Sequence, residues 1–193
     1  MPTLLNLPEV KRLVAATNTA RSQRDVSTVF EASGSVLESY GQSAERQLDA
    51  LFRTSQRLAV YGTLAPGEPN HHIVAPLGGE WTDGLIEGDL IPVGWGAALG
   101  YPAFRPRHGG TAVPVKVLTA SSLPTAWPML DRFEGPGYKR ILVLVFSTEI
   151  SPCAEHTGEL RLYTVANLYA ANEVSPGADE LCQKRCPRAG STG

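Results

Sequence analysis

Hydrophobic positions along the chain change rhythm near residue 55. Before that point they recur at helical spacing. Val10, Leu13 and Val14 share a face behind Pro8, which suits the first turn of a helix. Val26, Val29 and Phe30 repeat the pattern until Ser33-Gly34 interrupts it. Ser35 and Glu38 have the spacing of a capping box, and Leu37, Tyr40, Ala44, Leu48, Leu51 and Phe52 continue the stripe. Residues 1–55 therefore read as a helical extension. Its apolar stripe needs cover, from the chain's own domain or from another chain. The extension is expected to serve self-association or partner binding through these helices, and not the chemistry.

From Arg57 onward the texture is that of short strands. Leu58–Tyr61, Gly84–Leu90, Ala112–Leu118, Lys139–Phe146 and Glu159–Tyr169 are β-rich, and Pro66-Gly67, Gly78-Gly79, Gly109-Gly110 and Gly135-Pro136-Gly137 separate them as turns. One short helix is expected between Pro124 and Phe133. Strands with a single inserted helix predict an α+β or small-barrel domain over residues 56–172, and not a doubly wound sheet. Residues 173–193, rich in Pro, Gly and charge, read as an irregular tail, and no internal repeat is present.

Composition narrows the partners. A chain of 193 residues that is 42% hydrophobic suits one packed domain with appendages. A formal net charge of −2 disfavours nucleic acid and anionic membrane, which both need clustered positive charge. A small molecule is the expected ligand. Cys153, Cys182 and Cys186 are too few and too late for a disulfide framework, and the N-terminus lacks a basic flank with a long apolar run. The longest apolar run, Ile141–Phe146, is too short to span a bilayer. A cytoplasmic location is expected.

Two segments could carry chemistry. In Tyr61-Gly62-Thr63-Leu64-Ala65-Pro66-Gly67 a strand runs into a glycine, which lets backbone approach a ligand, and N–H groups in such a turn can hold a carboxylate or an oxyanion. The plain alternative is an ordinary turn. In Leu130-Asp131-Arg132-Phe133-Glu134-Gly135 the helical spacing of Leu123, Trp127, Leu130 and Glu134 puts a carboxylate on an apolar face, while Asp131 and Arg132 point elsewhere. Desolvation there raises a carboxyl pKa and suits it to act as a base near neutral pH. The alternative is a solvated glutamate before a glycine stop. Pro128 would break a helix begun at Pro124, in which case the helix starts only at Trp127 and the face keeps just Leu130 and Glu134.

Tyr-Gly-Thr-Leu after a strand, Gly100-Tyr101-Pro102, and Leu-Asp-x-Phe-Glu-Gly followed by Tyr138-x-Arg140 together resemble the γ-glutamylcyclotransferase-like family, over roughly residues 57–172. That resemblance implies a small mixed-sheet barrel with flanking helices. It further implies that Tyr61, Gly62, Thr63 and Leu64 bind a γ-glutamyl substrate, that Glu134 is the catalytic glutamate, and that no metal or organic cofactor is needed. Many members carry Gly-Glu in the strand before the catalytic helix, where this chain has Pro114-Val115-Lys116. That departure touches strand pairing or substrate rather than the base.

Other features point elsewhere with less force. His71, His72, His108, His156, Cys182 and Cys186 suggest zinc, but adjacent histidines do not readily share one tetrahedral site and a lone Cys-x3-Cys lacks partners. Gly94–Gly100 resembles a dinucleotide loop with its last glycine one place late, and reads better as a turn lining the same pocket. The weakly basic tail residues Lys184, Arg185 and Arg188 read as solvated. The rival functional class is a catalytically silent binding or regulatory module of the same fold.

Overall fold

Helix α1 (Leu7–Val26) begins where Asn6 offers its side-chain oxygen to the Glu9 N–H at 3.0 Å, with Pro8 in the first turn. The computed structural model describes residues 6–26, 36–93, 101–148 and 161–172. The expected capping box at Ser35, the Val29-Phe30 continuation, Gly94–Gly100 and the tail lie outside them, as does the side chain of Leu37. Helix α2 (Val36–Phe52) crosses α1 at Gly41, where a Cβ would overlap the side chain of Ala20. Only glycine allows that approach.

The strands are β1 (Arg57–Val60), β2 (Glu80–Ile91), β3 (Ala103–Pro106), β4 (Thr111–Thr119), β5 (Tyr138–Phe146) and β6 (Leu162–Ala171). Their order is β3-β2-β4-β1-β6-β5, and a β2–β5 contact at Leu85 and Phe146 closes five of them into a barrel. The sheet is mixed, because β1 and β6 run parallel while the other neighbours are antiparallel. Strand β3 pairs with Gly88–Ile91 at the end of β2. The fold class matches the expectation of an α+β mixed barrel with flanking helices and an N-terminal helical segment.

Two strands differ from the sequence reading. Strand β2 starts four residues before Gly84, since Trp81 and Thr82 pair with Leu118 and Val117. Strand β3 was not expected, because four residues give too short a run to show a period. Pro114 sits inside β4 opposite Leu85, two residues past Lys116, the last partner of β1. Among the described residues no strand pairs with that edge of β4 beyond Lys116, and a proline is tolerated at such an edge.

Helix α3 (Leu123–Glu134) bears out the helix expected between Pro124 and Phe133 and runs straight through Pro128, so the alternative start at Trp127 falls away. Leu123, Ala126, Trp127 and Leu130 are buried, while Pro124 and Pro128 lie on the exposed face. There the carbonyl deprived of its donor by Pro128 can turn to water, and the buried face holds the turn together.

Three apolar clusters organise the molecule. Ile86, Phe104, Val115, Val143, Val145 and Leu168 fill the barrel. Leu123, Trp127 and Leu130 of α3 pack on Leu58, Val60, Leu118 and Tyr169. Val10, Leu13, Val14, Ala44 and Leu48 of the N-terminal helices cover Leu142 and Val165, with Phe52 beside them. The stripe thus finds its cover on the chain's own barrel, while Tyr40 and Leu51 remain exposed. Polar contacts fix the docking. The Asn18 amide both donates to the Leu142 carbonyl and accepts from its N–H, each at 2.8 Å. Arg21 reaches the buried Asn167 oxygen at 2.8 Å and pairs with Glu45 at 2.7 Å. Among the described residues no helix is long and apolar enough to cross a membrane.

Candidate functional site

The end of β1 delivers the Tyr61–Leu64 turn, which is fastened from behind through its carbonyls. The Gly62 carbonyl accepts the Ala65 N–H at 3.0 Å, the Thr63 carbonyl accepts the Asn70 N–H at 2.9 Å, and His71 Nδ1 lies 3.1 Å from the Leu64 carbonyl. Leu64 anchors the turn by packing in the α3 cluster. The N–H groups of Gly62, Thr63 and Leu64, by contrast, meet no protein acceptor among the described residues. Successive backbone donors without acceptors are what an anion-binding concavity requires. A Cβ at Gly62 would lie 3.7 Å from the Tyr101 ring, so a larger side chain would narrow the cleft there.

Tyr61 supports this wall with both capacities of its hydroxyl. It donates to the Tyr169 carbonyl at 2.9 Å and accepts the Phe104 N–H at 2.9 Å. Burial raises its pKa further above the ordinary phenol range. Both capacities of the Tyr61 hydroxyl are thus committed to backbone.

Glu134 faces the same cleft from the last residue of α3. Gly135 ends the helix there with φ 71° and ψ −174°, a conformation open essentially to glycine, and its N–H closes on the Asp131 carbonyl at 3.1 Å. Among the described residues no donor or cation pairs with the Glu134 carboxylate. Burial pushes its carboxyl up to about 7, with no compensating partner. The five residues singled out in the sequence, Tyr61, Gly62, Thr63, Leu64 and Glu134, therefore line one cleft.

Sequence reasoning did not single out the other walls. Tyr101 and Pro102, Tyr138 and Tyr169 complete the cleft. The Tyr101 hydroxyl donates to Glu68 at 2.5 Å, and the Tyr169 hydroxyl donates to Asp131 at 2.6 Å. Tyr138 and Tyr101 fell inside recognised motifs, which was a usable signal. Tyr169 gave none, because a tyrosine in a strand reads as core.

The metal candidates are dispersed. His71 and His72 each put Nδ1 on a local carbonyl, of Leu64 and Pro69, and so brace the turn. Among the described residues no group of three or more His, Cys, Asp or Glu side chains could hold a metal ion. His156, Cys153, Cys182 and Cys186 lie outside them.

The family model described as "Gamma-glutamyl cyclotransferase, AIG2-like" matches residues 58–181. Solved structures similar to this chain include an AIG2-like protein of Mus musculus, 23% identical, covering 63% of this chain and 80% of that one at a TM-score of 0.46. YkqA of Bacillus subtilis is 25% identical over 61% of this chain and 36% of its own, with a TM-score of 0.41. A protein of Arabidopsis thaliana is 19% identical over 67% and 73%, also at 0.41. No curated protein matches the chain.

Proposed function

Because the chain belongs to the AIG2-like γ-glutamyl cyclotransferase family, we propose that it cyclises a γ-glutamyl group to 5-oxoproline and releases an amine or amino acid. Glu134 acts as general base and then general acid. The observation that carries this reading is an unpaired carboxylate, raised to about 7, in one cleft with the acceptor-less N–H groups of Gly62, Thr63 and Leu64.

In the reaction the substrate's α-nitrogen forms a bond to its own γ-carbonyl carbon, and the bond from that carbon to the leaving nitrogen breaks. Both reactants belong to one molecule, so the protein has mainly to hold the folded conformer. Well-oriented intramolecular reactions reach effective molarities on the order of 10⁵–10⁸ M. The α-amine attacks only when neutral. The α-nitrogen gives up two protons on its way from ammonium to lactam N–H, one before attack and one after. Glu134 takes each in turn and passes it to the leaving nitrogen, which departs as an ammonium, so the carboxylate ends each cycle as it began. A base near 7 has the right strength for both transfers at neutral pH. The open N–H groups bind the anionic end of the substrate or the developing oxyanion. No step requires a metal or an organic cofactor. The near-neutral charge and three cysteines support a cytosolic setting.

A panel of γ-glutamyl amides and γ-glutamyl amino acids, assayed for 5-oxoproline, tests the reading. Turnover of at least one is expected. Binding of a γ-glutamyl compound with no product from any would instead favour the silent binding module.

A further inference from the structure

Four tyrosines line the cleft with Glu134: Tyr61 at the end of β1, Tyr101, Tyr138 on β5 and Tyr169 on β6. Behind them stand the charged groups Glu68, which accepts from Tyr101, and Asp131 with Arg140. A phenol hydrogen given to a carboxylate stabilises its charge and weakens it as a base. Tyrosines lining the same cleft could therefore disarm Glu134, and besides the Tyr101 hydrogen given to Glu68 the structure shows where two more go. Tyr61 donates to the Tyr169 carbonyl. Tyr169 donates to Asp131 Oδ1 at 2.6 Å. Asp131 stands three residues before Glu134 on α3, hence on a neighbouring position of the helix surface. Glu134 thus puts a second carboxylate beside the one the Tyr169 hydroxyl serves, close enough for its charge to act on that hydroxyl.

Asp131 is held in place to win that hydrogen. Arg140 Nε and Nη2 reach its two oxygens at 3.0 and 3.2 Å, a two-pronged grip. The guanidinium in turn lies 4.5 Å above the Trp127 ring. Trp127 is buried and anchored by its indole N–H on the Ser55 carbonyl at 3.0 Å.

We propose that Asp131, gripped by Arg140, is a positioning residue that draws the Tyr169 hydroxyl away from Glu134 and so keeps the cleft carboxylate without a donor. The proposal gives meaning to the cyclisation reading above, but its test does not depend on turnover. Carbon-detected NMR follows the Glu134 side-chain carboxyl through a pH titration, with Glu134→Gln assigning the signal. The full chain should titrate near 7. In Asp131→Ala the freed hydroxyl turns to Glu134, which becomes at least about tenfold stronger as an acid. Adding Tyr169→Phe to that variant removes the freed hydroxyl and restores the midpoint to within about a factor of three of the parent. A merely structural role for Asp131 would not be rescued by a second deletion. An unmoved midpoint in Asp131→Ala, or one that stays low in the double variant, overturns the proposal.

Tyr169→Phe alone keeps the test decisive where Asp131→Ala fails to fold. It should leave the midpoint in place, and a rise would mean that Tyr169 already serves Glu134. A chain that titrates in the expected pattern yet makes no 5-oxoproline would sink the cyclisation reading and leave this assignment standing.

Discussion

At the scale of single residues, the proposed role of Glu134 ties stability to activity through the same carboxyl group. Its folded pKa of about 7 lies above the ordinary 4.5, so the folded chain holds the proton more tightly than the unfolded one. The sign follows: stability from this group is complete below pH 4.5 and is lost as pH rises through about 7. Glu134→Gln lacks that loss. It should match the parent in thermal unfolding at pH 4 and exceed it at pH 8 by up to about 2 kcal/mol after solvent screening. Equal stability of the two at pH 8 would mean that Glu134 is not desolvated. Gly62 makes a second prediction. Gly62→Val pushes methyls toward Tyr101 across the cleft, in a backbone conformation that valine tolerates. Calorimetry with an inert γ-glutamyl analogue should find affinity weakened at least about tenfold while the fold persists. Undiminished affinity would reduce the Tyr61–Leu64 segment to an ordinary turn.

At the scale of elements, the sequence carried what is contiguous and concealed what is assembled. Glu134 and the turn after β1 were legible because a helix stop and a strand end each declare themselves within a few residues. The Asp131–Arg140–Tyr169 contacts were not. They join α3 to two strands whose pairing sets Arg140 against Tyr169, and no local period encodes that register. Pro128 misled for a related reason: a local breaker was outweighed by tertiary burial of Leu123, Trp127 and Leu130. The N-terminal helices show the same thing. Their spacing announced an apolar face, but the face on β5 and β6 that covers it is built more than 80 residues later. Leu48 is fully buried there, so Leu48→Ala should destabilise the protein by about 2–5 kcal/mol in denaturant unfolding. A loss under 0.5 kcal/mol would fit a surface position and contradict this docking.

At the scale of the whole molecule, the helical segment and the barrel share structure that a boundary at residue 55 would cut. Removing residues 1–54 would expose Leu142 and Val165, strip the Leu142 backbone of Asn18, and leave Asn167 without Arg21 and the Thr54 carbonyl. An apolar face of that kind does not stay in water as a soluble monomer. Light scattering should therefore find the shortened chain aggregated or associated, and a monodisperse, fully stable monomer would show the helices to be dispensable. The proposed chemistry lies in the cleft between the Tyr61–Leu64 turn and the end of α3, whose lining includes none of the residues of α1 and α2. The central claim is that a single buried carboxylate there moves the proton. The most direct measurement compares 5-oxoproline formation by the full chain and by Glu134→Gln on the best γ-glutamyl substrate. Turnover should fall by about 10²–10⁴-fold with binding retained, the usual worth of acid–base catalysis, whereas near-parental turnover by Glu134→Gln would contradict the account.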